Sequence, residues 1–71
     1  MSSETIQVTV NGEEREVRRG LTVAGFLESL DLHPGLVVVE QNREILDRGR
    51  YAEVEVCDGD TLELVHFVGG G

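Results

Sequence analysis

Residues 6–10 alternate between apolar and polar side chains, which is the period-two pattern of a half-buried strand. Asn11-Gly12 follows this run, and the dipeptide favours a type I′ turn, in which both central residues have positive φ. We therefore predict a β-hairpin whose returning strand covers residues 14–17. The Arg-Arg-Gly sequence at 18–20 closes it.

The spacing then changes to that of a helix. Apolar residues recur at i, i+3, i+4 and i+7, on Val23, Phe26, Leu27 and Leu30. Such a stripe predicts an amphipathic helix of about two turns with one buried face. Thr22 is suited to cap its first turn through the side-chain hydroxyl. The Leu-His-Pro-Gly sequence that follows ends the helix.

The second half of the chain again favours strands. Residues 36–39 form a continuous apolar run that is long enough for a strand, although its outward face stays undecided. Residues 41–43 indicate a turn and residues 44–46 a short strand. Residues 47–52 show no regular pattern. Asp58-Gly59-Asp60 predicts a further turn.

Residues 61–68 alternate and predict the last strand. If Leu62 and Leu64 face the helix, Val65 and Phe67 point outward, where exposed apolar side chains indicate a docking surface. We predict Val65, Phe67 and the neighbouring Val68 as partner-binding residues. Two alternatives are that the strand has the opposite parity and that Phe67 only covers the sheet edge.

The predicted element order is β-β-α-β-β-β. One helix stripe buried against one sheet face makes a two-layer α+β domain. We place this domain at residues 1–68, followed by a flexible glycine tail at residues 69–71. In a chain of 71 residues the core is small, and an enzyme with a deep substrate pocket is disfavoured.

The charge narrows the choice of partners. Six basic residues, all arginine, face fourteen acidic ones, for a formal net charge of −8. Such a surface repels nucleic acids and anionic membranes, so we expect neither as a partner. A basic protein partner fits, although the charge also serves solubility on its own.

The reactive side chains give no sign of a catalytic or metal site. Cys57 is the single cysteine and has no adjacent base, and His33 and His66 lack a metal-ligand spacing. With no signal sequence and no apolar stretch that could span a bilayer, a cytoplasmic location is expected. We therefore predict no catalytic residue and no cofactor of the protein's own.

The chain resembles the ThiS/MoaD sulfur-carrier family, which has a ubiquitin-like β-grasp fold, and most closely its ThiS branch. The resemblance extends from Ile6 to Gly71. The residues that carry it are Val10-Asn11-Gly12-Glu13, Thr22-Val23-Ala24, Val37-Val38-Val39-Glu40-Gln41-Asn42, Glu44-Ile45, Asp58-Gly59-Asp60, Leu62-Glu63-Leu64-Val65-His66-Phe67-Val68 and Gly69-Gly70-Gly71. It implies a mixed sheet of four to five strands on one helix. One departure is Arg43, where the family usually has glycine.

The resemblance also implies a mechanism centred on Gly71. An E1-like adenylyltransferase of the ThiF or MoeB type uses ATP and magnesium to adenylate the Gly71 carboxylate. Sulfur from a persulfide donor then yields a thiocarboxylate. A thiazole synthase of the ThiG type accepts that sulfur in thiamin biosynthesis. Gly69 and Gly70, which lack side chains, would thread into the partner's narrow active site.

The residues are also compatible with other functions. Within the family, the chain could be a MoaD-like small subunit of molybdopterin synthase. It could instead be a ubiquitin-like modifier conjugated through Gly71, or an interaction module with an inert tail. The resemblance to the ThiS branch and the Val-Gly-Gly-Gly ending favour the sulfur carrier of thiazole formation.

Overall fold

The predicted hairpin is present as β1 (Thr5–Val10) and β2 (Glu13–Arg18). In the computed structural model, which describes residues 4–67, the two strands pair antiparallel and leave Asn11 and Gly12 as the loop. Their φ angles are 50° and 83°, so both central residues are left-handed, as a type I′ turn requires.

Helix α1 (Val23–Ser29) begins where the sequence predicts and ends earlier. The Thr22 hydroxyl accepts a hydrogen bond from the Gly25 N–H at 3.1 Å, which confirms the cap. Val23, Phe26 and Leu27 are fully buried on the predicted stripe. Leu30 is the C-cap residue and only partly buried, because the backbone turns left-handed directly after it.

The remaining strands are β3 (Val37–Gln41), β4 (Glu44–Ile45) and β5 (Thr61–His66). The sheet order is β2-β1-β5-β3-β4, with β5 parallel to β1 and antiparallel to β3. This mixed five-stranded sheet beside one helix confirms the predicted α+β β-grasp fold. Single turns of 3₁₀ helix at Pro34–Leu36 and Arg48–Arg50 complete the regular structure of the described residues.

One face of the sheet packs against α1, and the core lies between these two layers. The buried hydrophobic residues are Ile6, Val8, Val10, Val23, Phe26, Leu27, Val37, Val39, Tyr51, Val56 and Leu62. Within residues 4–67, no helix is long and apolar enough to cross a membrane. The proposed boundary after residue 68 lies outside the described residues and stays a prediction.

Tyr51 compensates for the shortness of β4. Because β4 pairs only with the last two residues of β3, the earlier part of β3 lacks a strand on that side. The buried Tyr51 hydroxyl donates to the Val37 carbonyl at 2.8 Å and accepts from the Val39 N–H at 3.0 Å. One side chain thus bonds two buried backbone groups of β3, and the Val37 carbonyl also accepts from the Arg48 guanidinium at 3.5 Å.

The β3–β4 turn has the same geometry as the first hairpin but a different sequence. Asn42 and Arg43 have φ angles of 52° and 73° between the paired residues Gln41 and Glu44. Arginine in the left-handed region is strained, because its Cβ lies close to the following carbonyl oxygen. The predicted turn is therefore confirmed, and Arg43 holds a position that suits glycine.

We predict that Arg43→Gly stabilises the protein. Removing the Cβ relieves the left-handed strain, and the gain exceeds the added freedom of glycine in the unfolded chain, for a net of about 0.5–1 kcal/mol. Urea unfolding followed by circular dichroism measures the difference. The reciprocal control is Gly12→Arg, since a Cβ at Gly12 meets nothing within 4 Å and reports the backbone alone. A stability loss in Arg43→Gly contradicts the assignment of strain.

Candidate functional site

The sheet face opposite α1, here called the outer face, carries exposed apolar side chains on adjacent strands. Val65 and Phe67 have 53% and 54% of their surface exposed, while Leu62, on the opposite face of β5, is buried. The predicted outward parity of Val65 and Phe67 is therefore confirmed, and the reversed parity is wrong. Their role in partner binding stays a prediction.

The structure also decides which face of residues 36–39 is outward. Val37 and Val39 are fully buried in the core, whereas Val38 is partly exposed and lies opposite Val65 in the β3–β5 register. Leu36, 41% exposed, accepts a hydrogen bond at its carbonyl from the Phe67 N–H at 2.8 Å. The apolar surface thus extends across β3 and β5.

Ile45 belongs to the same face and was not among the residues predicted from the sequence. It is 74% exposed and lies opposite Glu40 in the β3–β4 pair, which places it beside Val38 and Val65 around one groove. The available signal was alternation. Leu46 packs against the core and Ile45 faces outward, but the two adjacent apolar residues do not show from the sequence which of them is buried.

β5, the strand that precedes the candidate tail in the sequence, lies at the centre of the sheet. As the central strand, β5 is paired on both sides, to β1 and to β3. The Asn11 side chain adds two bonds beyond the β1 ladder: its carbonyl accepts from the Leu64 N–H at 2.8 Å and its amide donates to the Leu64 carbonyl at 3.3 Å. Val68 and the predicted tail residues, Gly69, Gly70 and Gly71, lie outside the described residues.

The Asp58-Gly59-Asp60 turn anchors the start of β5. The Asp58 carboxylate accepts from the Gln7 N–H at 2.8 Å, and the Gly59 N–H donates to the Gln7 carbonyl at 2.8 Å. These bonds tie the turn to β1. Gly59 has a φ of +86°, where a side chain would be strained, which explains glycine between two aspartates.

Asp60 connects the same turn to the β3–β4 hairpin. One carboxylate oxygen accepts from the Asn42 amide at 3.0 Å, and the other accepts from the Gln41 amide and the Cys57 N–H, both at 2.9 Å. Its relative exposure is 8%, so these three donors replace solvent. The motif is thus a structural brace for β5.

His33, His66 and Cys57, the other residues considered for reactivity, lie on different parts of the fold. The His33 Nδ1 accepts from the Gly35 N–H at 3.0 Å, while His66 is exposed on β5. Cys57 is an exposed free thiol. Among residues 4–67, no group of three histidine, cysteine, aspartate or glutamate side chains is arranged to hold a metal ion.

A family model described as the ThiS family matches residues 8–71. The sulfur carrier protein ThiS of Bacillus subtilis is 44% identical over 63 residues, which cover 87% of this chain and 96% of that protein. A crystal structure of the thiamine biosynthesis protein ThiS from Geobacter metallireducens superposes with a TM-score of 0.79 at 36% identity. That match covers 93% of this chain and all of the Geobacter chain.

A much longer protein also contains a similar segment. The thiazole synthase of Paramagnetospirillum magneticum is 44% identical over 66 residues, which cover 93% of this chain. The chain spans about one fifth (20%) of the length of that synthase. A segment like this chain thus occurs covalently joined to a thiazole synthase.

We predict that Asp60→Asn destabilises the fold by about 1–3 kcal/mol, since the new amide group faces donors and leaves at least one of them unsatisfied. Asp58→Asn is the matched control, because its remaining carbonyl oxygen can still accept from the Gln7 N–H. Urea unfolding of both variants measures the effect. Equal losses in the two variants would contradict the role assigned to the Asp60 carboxylate.

Proposed function

The chain belongs to the ThiS family, and from this membership we propose that it is the sulfur carrier for thiazole formation in thiamin biosynthesis. The observation that carries the proposal is the family match over residues 8–71, which includes the terminal glycines. The chain is a carrier and co-substrate, so its own residues need not supply an acid, a base or a metal. The proposed reactive group is the carboxylate of Gly71.

The chemistry begins with activation of that carboxylate. A carboxylate is a poor electrophile, because an oxide leaving group is unfavourable. Adenylation with ATP, assisted by magnesium in an E1-like adenylyltransferase of the ThiF or MoeB type, converts it to a mixed anhydride and releases pyrophosphate. The terminal sulfur of a persulfide donor then attacks the carbonyl carbon and displaces AMP. A thiol reduces the resulting acyl disulfide at its S–S bond and leaves the thiocarboxylate on Gly71.

The tail is suited to reaching another protein's active site. Gly69, Gly70 and Gly71 carry no Cβ, so this segment fits a narrow channel and adopts backbone angles closed to other residues. The braced central strand β5 provides a rigid base for it. Sulfur held covalently at Gly71 reacts with an acceptor without release as free sulfide, and docking raises its effective concentration.

The outer face is the proposed docking surface for these partners. Val65 and Phe67 lie on the strand that leads into the tail, and Val38 and Ile45 extend the apolar surface across the sheet. Apolar residues of this kind contribute most when an interface excludes water from them. Val68, outside the described residues, is proposed to continue the contact.

A thiazole synthase is the proposed acceptor of the sulfur. The support is the synthase that contains a segment similar to this chain within one polypeptide. Covalent joining keeps two domains at high effective concentration, which benefits a carrier that must meet its acceptor repeatedly. We infer that this protein meets its acceptor through the outer face.

We predict that the purified protein gains roughly 16 Da, as one oxygen becomes sulfur, when incubated with its adenylating enzyme, ATP, magnesium, a persulfide donor and a thiol. Deleting Gly70-Gly71 abolishes the gain and leaves thermal unfolding nearly unchanged, because the tail contributes little packing. Intact-mass spectrometry reads the first result and calorimetry the second. Larger covalent adducts would indicate a protein modifier instead, and no mass change at all would indicate an inert module.

We further predict that Val65→Asp and Phe67→Asp weaken binding to the adenylating enzyme by about tenfold or more, since a charge would be desolvated in an apolar contact. Titration calorimetry measures the affinity. Ala52→Asp is the control, because this substitution adds the same charge at an exposed position. Ala52 follows Tyr51, whose carbonyl accepts from the Ala24 N–H near the start of α1. Unaltered affinity in the β5 variants would remove those residues from the docking site.

A further inference from the structure

Two carboxylates lie directly opposite each other on the outer face. Glu40 of β3 and Glu63 of β5 are register partners in the antiparallel pair, two residues along each strand from the Val38–Val65 pair. Because side chains alternate along a strand, all four residues share the outer face. Opposed residues of this kind have Cβ atoms about 4.5–5.5 Å apart.

No ion pair among residues 4–67 neutralises these two carboxylates. Like charges directly opposite each other across a strand pair are destabilising. Neither Glu40 nor Glu63 forms an ion pair with another residue of the described range 4–67. Arg43 borders the same groove, yet it forms no ion pair with either carboxylate. The pair is therefore expected to lower the stability of the isolated chain.

The carboxylates border a groove with an apolar side. The groove has a volume of about 420 Å³ and is lined by Val38, Ile45 and Val65 together with Glu40 and Glu63. It is continuous with the apolar surface that leads to Phe67. The whole chain has a net charge of −8, so the groove adds a local acidic site to a surface that already attracts basic partners.

We propose that this groove receives a segment of the adenylating enzyme in which an arginine or lysine side chain lies between Glu40 and Glu63. An apolar side chain next to it packs on Val38, Ile45 and Val65. The inference rests on the proposed function for the identity of the partner, and on the opposed carboxylates for its chemistry. A cation between them removes the repulsion that the free chain carries, so binding gains both the contact and the relief of strain.

The combination of stability and affinity distinguishes this role from a general effect of charge. Glu40→Gln and Glu63→Gln remove the repulsion, so each variant should unfold at a higher urea concentration than the wild type. Each should also bind the purified adenylating enzyme about tenfold more weakly in titration calorimetry. The affinity of each variant should respond less to added salt, because a charge pair at the interface has been lost.

The control variant is Glu28→Gln. Glu28 is exposed on α1, on the opposite side of the sheet from the groove, and the substitution changes the net charge by the same amount. It should leave the affinity and its salt dependence close to those of the wild type. An equal loss of affinity in Glu28→Gln and Glu63→Gln would assign the effect to overall charge and overturn the proposed site.

The results separate this inference from the proposed function. A wild-type chain that binds the enzyme and never gains sulfur mass overturns the carrier function, while the glutamine variants still test the groove. A wild-type chain that does not bind the enzyme overturns both. Glutamine variants that bind like the wild type, or that lose stability, overturn the groove proposal alone.

Discussion

The structure depends on the insertion of β5 between β1 and β3. The parallel ladder with β1 comprises only the pairs Thr9–Thr61 and Val10–Leu62, so backbone pairing alone gives it little length. Side chains extend it at both ends: the Asn11 amide reaches Leu64, and the Asp58 carboxylate reaches Gln7. These contacts join residues more than fifty positions apart in the chain. The entropy of closing such long loops opposes the insertion of β5, so these contacts have to offset it.

The local pattern predicted most of this fold. The Asn11-Gly12 turn, the Thr22 cap and the alternation in β5 are each set by neighbouring residues, and all three were recovered from the sequence. The end of α1 was placed too late, because Leu30 continues the apolar spacing while its backbone already leaves the helix. Tertiary contacts decided the rest. The parity of residues 36–39 depends on pairing with β5, and the hydroxyl bonds of Tyr51 depend on the shortness of β4, neither of which a local pattern contains.

The candidate site was predictable only where the local pattern of the chain determines it. Val65 and Phe67 could be assigned outward from strand period and a single helix layer. Ile45 was missed because a two-residue strand gives too short a pattern to reveal its face. The opposition of Glu40 and Glu63 follows only from the strand register, which joins two segments that are distant in the sequence. A two-layer domain leaves one sheet face without cover, and here that face combines apolar side chains with unneutralised charge.

The parallel pairing of β1 and β5 also separates the two termini of the folded core. With Thr9 beside Thr61, β1 starts four residues before this level and β5 ends five residues beyond it. At a rise of 3.3 Å per residue, the first and last strand residues lie roughly 30 Å apart, at opposite poles of the sheet. An affinity handle, a bead or a fluorophore attached ahead of Thr5 is therefore held far from the exit of β5. A protein immobilised ahead of Thr5 therefore presents the end of β5 to solution, where a partner enzyme can bind it.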